Sequence, residues 1–227
     1  MNAVFPTQKA TDGVLRMPEH GGNVVFMAGR RALILAGTGM LSPAAEALVR
    51  DGWHVVLPSR RYRPIAVPET KQGVAALKAL RPRGHRPANG NGGREPGRAL
   101  WVEAHCDRPR ELATKAEAAL GAPADLLVAW VHEQYRRSVL GACERLLAPR
   151  APVVEVRSAG GPPAEAEPVL AAHPTQLVMV GSLSEIGDGR PLSHAELTEA
   201  VLHAMARAIE GRAASVHQVG QSRPLVR

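Results

Sequence analysis

A short aliphatic run broken off by two glycines constrains this chain more than any other feature. From Arg31 to Arg61 it reads RALILAGTGMLSPAAEALVRDGWHVVLPSRR. Ala32–Ala36 is short and aliphatic enough for a buried strand. Gly37-Thr38-Gly39 follows where a strand would turn into a helix, and Leu41, Ala45 and Leu48 then recur at helical spacing. Gly52 sits where a helix carboxyl end favours a left-handed residue, and His54–Leu57 supplies the next strand. The reading is a β-α-β unit.

Such a turn suits a nucleotide diphosphate. Glycines let the backbone turn tightly and approach a pyrophosphate, and the helix behind them offers free N–H groups and the positive end of its dipole. The full dinucleotide pattern asks for a third glycine. Here that position is Ser42, small enough for close helix–strand packing, with Pro43 in the first helical turn and Ser42 a candidate N-cap. The cofactor-binding set read from this stretch is Gly37, Thr38, Gly39, Met40, Leu41 and Ser42. The competing reading is an ordinary αβ unit with a glycine turn and no ligand.

The end of the second strand points to the form of the cofactor. An NAD site usually places a carboxylate there for the ribose hydroxyls. This chain has Pro58-Ser59-Arg60-Arg61, whose hydroxyl and paired guanidiniums suit a 2′-phosphate, so the expected cofactor is NADP(H). A solvated basic loop is the alternative.

Length allows one α/β domain, and strand–helix alternation runs through most of the 227 residues. Aromatic residues make up only 3%, so the core must be aliphatic and alanine-rich. No apolar run reaches the length of a membrane span, and no secretory signal is expected at the N-terminus. Two cysteines, Cys106 and Cys143, form no CxxC motif, and a reducing, cytoplasmic setting is expected. The net charge of +7 raises nucleic-acid binding. The sequence shows no helix-turn-helix, metal knuckle or aromatic stacking strand, so no specific nucleic-acid partner is expected.

Residues 1–30 read as a flexible extension and Arg81–Arg98, rich in Gly, Pro, Asn and Arg, as a flexible insert. Between them Glu69–Leu80 has a helical pattern. A third strand, Ala99–His105, leads to Asp107, which could contact the adenine region or cap the following helix, Glu111–Leu120. His105, Cys106 and Asp107 are metal-capable types, but strand neighbours point to opposite faces and no metal site is expected. Asp125–Val131 is apolar throughout its centre, as a central parallel strand should be. Trp130, near its carboxyl end, joins the cofactor-binding set, and His132 and Tyr135 stand beyond that end, where ligands of such sheets bind. Val153–Val156 is a fifth strand, with Ser158 at its end, and Leu177–Val180 a sixth. A short helix near Val169–His173 is possible. Ser193–Glu196 forms a capping box before a helix bearing Leu197, Val201, Met205 and Ile209, ended by Gly211. The domain is expected over 31–211, with 212–227 a basic tail.

The assembled pattern resembles the short-chain dehydrogenase/reductase superfamily. LILAGTGML at Leu33–Leu41, Arg60-Arg61, HCD at His105–Asp107, DLLVAWVH at Asp125–His132 and RPLSHAEL at Arg190–Leu197 carry the resemblance. GTGML with LVAWVH looks closest to a small bacterial branch of it. The resemblance implies a Rossmann-like, three-layer, doubly wound parallel sheet in the order 3-2-1-4-5-6, an NADP cofactor and often a homodimer or homotetramer. The superfamily's catalytic serine position is matched by Ser158. Its Tyr-x-x-x-Lys pair is absent, since no tyrosine follows Tyr135 and no lysine follows Lys115. Two functions fit. One is an atypical NADP(H)-dependent oxidoreductase of a small carbonyl or imine, with His132 or Tyr135 as proton donor and Ser158 orienting the substrate. The other is an NADP(H)-binding sensor or partner subunit without turnover.

Overall fold

The computed structural model describes residues 29–36, 39–62, 97–158, 168–185 and 189–221. The N-terminal extension, Gly37, Thr38, the helix expected at Glu69–Leu80 and most of the insert lie outside them.

Among the described residues the chain forms seven parallel strands, most of them from its aliphatic runs. They are β1 (Arg31–Ala36), β2 (His54–Ser59), β3 (Arg98–Glu103), β4 (Leu126–Trp130), β5 (Val153–Ser158), β6 (Thr175–Val180) and β7 (Ser215–Val219). The sheet order is β3-β2-β1-β4-β5-β6-β7. The expected doubly wound order is therefore present, extended by a seventh strand. That strand comes from residues the sequence reading set apart as a tail. Its alternating Ser-Val-His-Gln-Val carries too few apolar residues to stand out as a strand.

Among the described residues four α-helices complete the layers: α1 (Ser42–Arg50), α2 (Pro109–Leu120), α3 (Glu133–Cys143) and α4 (His194–Ile209). The buried stripes of α1 and α4 meet Ile34, Val128 and Val156 on one face of the sheet. Those of α2 and α3 meet Leu33, Leu127 and Val153 on the other. Alternation along each strand sorts its side chains between the two cores, which is why β4, covered on both faces, is apolar along its length. Among the described residues no helix is long and apolar enough to cross a membrane.

The helix ends follow local chemistry. Gly52, Gly121 and Gly211, each past a helix end, have φ of 82°, 68° and 70°. At α4 the capping box forms: the Glu196 N–H donates to Ser193 Oγ at 3.3 Å and the Ser193 N–H to Glu196 Oε2 at 2.9 Å. Two expected caps do not form. Leu41, not Ser42, is the N-cap of α1, and the Ser42 hydroxyl donates back to the Gly39 carbonyl at 2.9 Å. Arg108, not Asp107, is the N-cap of α2, without a side-chain bond. In both places the chain enters the helix one residue away from the polar side chain's capping geometry. Residues 169–173 form a turn between Pro168 and Pro174 rather than a helix, closed by the His173 N–H to the Leu170 carbonyl at 3.0 Å. Both cysteines are free. Cys143 lies in the core, where burial pushes its thiol up to about 12.

Candidate functional site

A cavity of about 790 Å³ opens at the carboxyl ends of β1, β2, β3 and β4. Parallel strands that diverge to either side of β1 and β4 leave a crevice at this edge. Its volume lies in the range of small-molecule sites.

The wall nearest β1 is the turn into α1. Gly39 has φ of 121°, a backbone conformation that disfavours a Cβ. Met40 lines the cavity and is 42% exposed. Leu41 is buried in the core, and Ser42 closes the turn through its bond to Gly39, so neither lines the cavity. The first turn of α1 has no acidic residue and no side-chain cap. Its backbone donors therefore remain available to an anion.

The β2 wall holds Pro58, Ser59, Arg60 and Arg61. Both arginines are exposed, and neither makes an ion pair with another described residue. The Ser59 hydroxyl is already engaged. It donates to the Arg61 carbonyl at 2.9 Å and accepts the Trp101 indole N–H at 2.9 Å. Beyond β3 stand Ala104, His105, Cys106 and Asp107. Burial raises the Cys106 thiol, against the pull of Arg60. Asp107 is exposed in a turn at the rim.

The β4 wall holds Trp130, Val131, His132, Gln134 and Tyr135. His132 is the N-cap of α3, its Nδ1 accepting the Gln134 N–H at 3.5 Å. A neutral ring in that role carries its proton on Nε2. The Tyr135 ring is half-buried, 6.4 Å from the His132 ring. The next residue turns away. Arg136 is buried and forms a two-pronged ion pair with the buried Glu155 of β5, its Nη2 at 3.2 Å from Oε2. Glu133 joins this pair to Arg157, at 3.9 and 3.1 Å. The carboxyl half of β5 is thus committed to charge pairing.

The structure brings Met40, Ser59, Arg60, Arg61, Asp107, Trp130, His132 and Tyr135 around one cavity. Ser158 ends β5 and is exposed, but it is not among the residues lining that cavity. Gly37 and Thr38 lie outside the described residues. His105, Cys106, Val131 and Gln134 were not assigned to the site from sequence, although each follows a strand's carboxyl end, the position that predicts it.

No protein-family model matches the chain, and no curated protein sequence matches it. Solved structures do. An NADH-dependent reductase A1-R′, complexed with NAD, is similar at a TM-score of 0.51 and 15% identity, covering 85% of this chain and 95% of that one. A short-chain dehydrogenase/reductase from Serratia marcescens is similar at a TM-score of 0.51 and 13% identity, covering 86% and 98%. Seven parallel strands in this order, with helices on both faces and a cavity at their carboxyl ends, make the architecture plain: this chain has the fold of the short-chain dehydrogenases/reductases.

Proposed function

We propose that the chain binds NADP(H) and reduces a small carbonyl or imine compound. The observation that carries this reading is the pair of exposed guanidiniums, Arg60 and Arg61, at the rim of a cavity that the uncapped end of α1 also approaches. A phosphate needs donors and positive charge, and both are present without a carboxylate at the end of β2 to reject it. The bound NAD of the A1-R′ reductase supports a nicotinamide dinucleotide in a fold of this kind.

Gly39 and the first turn of α1 would receive the diphosphate, Arg60 and Arg61 the 2′-phosphate, and Asp107 and Trp130 would flank the nucleoside parts. The bound cofactor supplies hydride. The protein's part is to hold the acceptor and furnish a proton. The Nε2–H of neutral His132 is a donor for an acceptor oxygen or nitrogen, and the Tyr135 hydroxyl is the nearby acid. Ser158 does not line the same cavity.

That last point, with the missing Tyr-x-x-x-Lys pair, favours a second reading in which the protein senses NADP(H) without turnover. Titration and turnover separate the two. Arg60→Ala with Arg61→Ala should weaken NADPH at least about tenfold and leave NADH nearly unchanged. Equal effects on both nucleotides would refute the 2′-phosphate assignment. Against a panel of carbonyls and imines, Tyr135→Phe should slow turnover about 100-fold while NADPH affinity holds. Tight NADPH binding with no oxidation across the panel would favour the sensor.

A further inference from the structure

The hydrogen bonds around Ser59 change what that residue can do. A hydroxyl has a single hydrogen, and here it goes to the Arg61 carbonyl. Phosphate oxygens accept, so they need donors. Ser59 therefore has no proton to offer a phosphate while this turn is intact. One of its two lone pairs is taken up as well, by the Trp101 indole N–H.

Trp101 lies on β3, where the parallel register sets it beside Leu57 and sets Glu103 beside Ser59. The indole reaches forward along the strand to the serine. The same ring meets Tyr62 edge-on, with centroids 5.6 Å apart and planes at 74°. One rigid side chain thus grips the β2 loop at residues 59 and 62, and Arg60 and Arg61 are the two residues between those grips. The Ala104 N–H to the Ser59 carbonyl, at 3.2 Å, ties the base of the loop to β3.

We infer that Trp101, acting through Ser59 and Tyr62, is the positioning residue that holds the Arg60-Arg61 turn in the shape that grips a 2′-phosphate. This rests on the NADP(H) reading of the cavity and deepens it. Arginine side chains lose much rotamer freedom on binding, and a backbone fixed beforehand leaves less to order when the ligand arrives. The indole is not among the groups lining the cavity. Its effect is confined to ligands that carry the 2′-phosphate.

The test is calorimetric titration of the full chain with NADPH, NADH and 2′,5′-ADP. Trp101→Phe keeps an aromatic ring against Tyr62 and removes only the N–H. Ser59→Ala removes both bonds of the hydroxyl. Each should weaken NADPH and 2′,5′-ADP by about three- to tenfold, the worth of a hydrogen bond, and leave NADH unchanged. Because both break one strut, the double variant should lose no more than the worse single one. Unchanged melting temperatures would show that the sheet edge is intact. Equal losses for NADPH and NADH would overturn the inference, since a general structural role acts on both. A preference for NADPH that survives both substitutions would overturn it while leaving the cofactor reading standing. Failure of the unmodified chain to bind NADPH or 2′,5′-ADP would overturn both.

Discussion

Arg136 and Glu155 are each misplaced as single residues and correct as a pair. Glu155 interrupts the apolar run of β5, and Arg136 sits in a polar helix start that reads as solvent-facing. They are 19 residues apart, and only the β4–β5 pairing with α3 across it brings them together. Removing one partner strands a buried charge, so Arg136→Ala should cost about 3–5 kcal/mol in urea unfolding. Arg136→Met with Glu155→Leu should recover most of that loss, because two apolar side chains replace the pair without an orphan. If the double variant were no more stable than Arg136→Ala, the pairing would not be what holds this site. The same limit of sequence reading shows at Ser42 and Asp107. Their residue types suit caps, but capping depends on the dihedral angles of the entering chain, and Ser42 turns back to Gly39 instead. The arginines at 60 and 61 were legible because a strand end is a short-range feature. The engagement of Ser59 was not, because Trp101 is 42 residues away.

At the scale of elements, the edge strand β7 is held by polar contacts more than by core. Gln176 of β6 is buried and gathers the Ser215 hydroxyl, the His217 imidazole at 2.9 Å and the Arg207 guanidinium at 3.4 Å around its carbonyl oxygen. Its amide donates to the Ala213 carbonyl at 2.7 Å. This explains why β7 escaped the sequence: apolar periodicity marks strands that bury one face, and this one does not. The cluster is also sensitive to acid. Burial, then His203 and Arg207, lower the His217 pKa. At the other end of the sheet His54 accepts from Arg98 at Nδ1 and contacts the Ala119 carbonyl through Nε2 at 3.0 Å, tying β2, β3 and α2 together. Burial lowers its pKa too, with Arg98 and Arg31 acting in the same direction against the Ala119 bond. In both cases the unfolded chain holds the proton more tightly than the folded one. Stability is therefore full above an unfolded pKa of about 6.5 and falls as pH drops below it towards the folded values. Denaturation midpoints between pH 8 and pH 5 should decline accordingly, with uptake of up to about one proton per histidine on unfolding. His54→Asn and His217→Asn should each flatten the decline. A slope unaltered by either substitution would contradict this account.

For the whole molecule, the segments that form six of the strands and the place of the cavity follow from a short list of features, and the family resemblance supplies the order of those strands. Apolar runs, the glycine turn and the helix-closing glycines fix which segments are strands and where the chain reverses. The sheet then puts the strand ends, and with them Met40, Arg60, Arg61, His132 and Tyr135, along one edge. What the sequence could not show was which strand ends share a wall. Ser158 ends its strand as expected and yet is not among the residues lining the cavity, while Glu155 and Arg157 of the same strand are engaged in ion pairs. Gly97, read as part of a loose insert, is another example: a Cβ there would collide with the Val49 carbonyl and lie 2.8 Å from the Gly52 Cα, so the entry to β3 is tightly packed. The central claim is that a nicotinamide dinucleotide with a 2′-phosphate lies across this edge, from the turn at Gly39 to the arginines after β2. A crystal structure of the full chain grown with saturating NADPH tests it most directly. The account predicts the diphosphate at the start of α1 and the 2′-phosphate between Arg60 and Arg61. An empty cavity, or NADPH bound elsewhere on the chain, would contradict it.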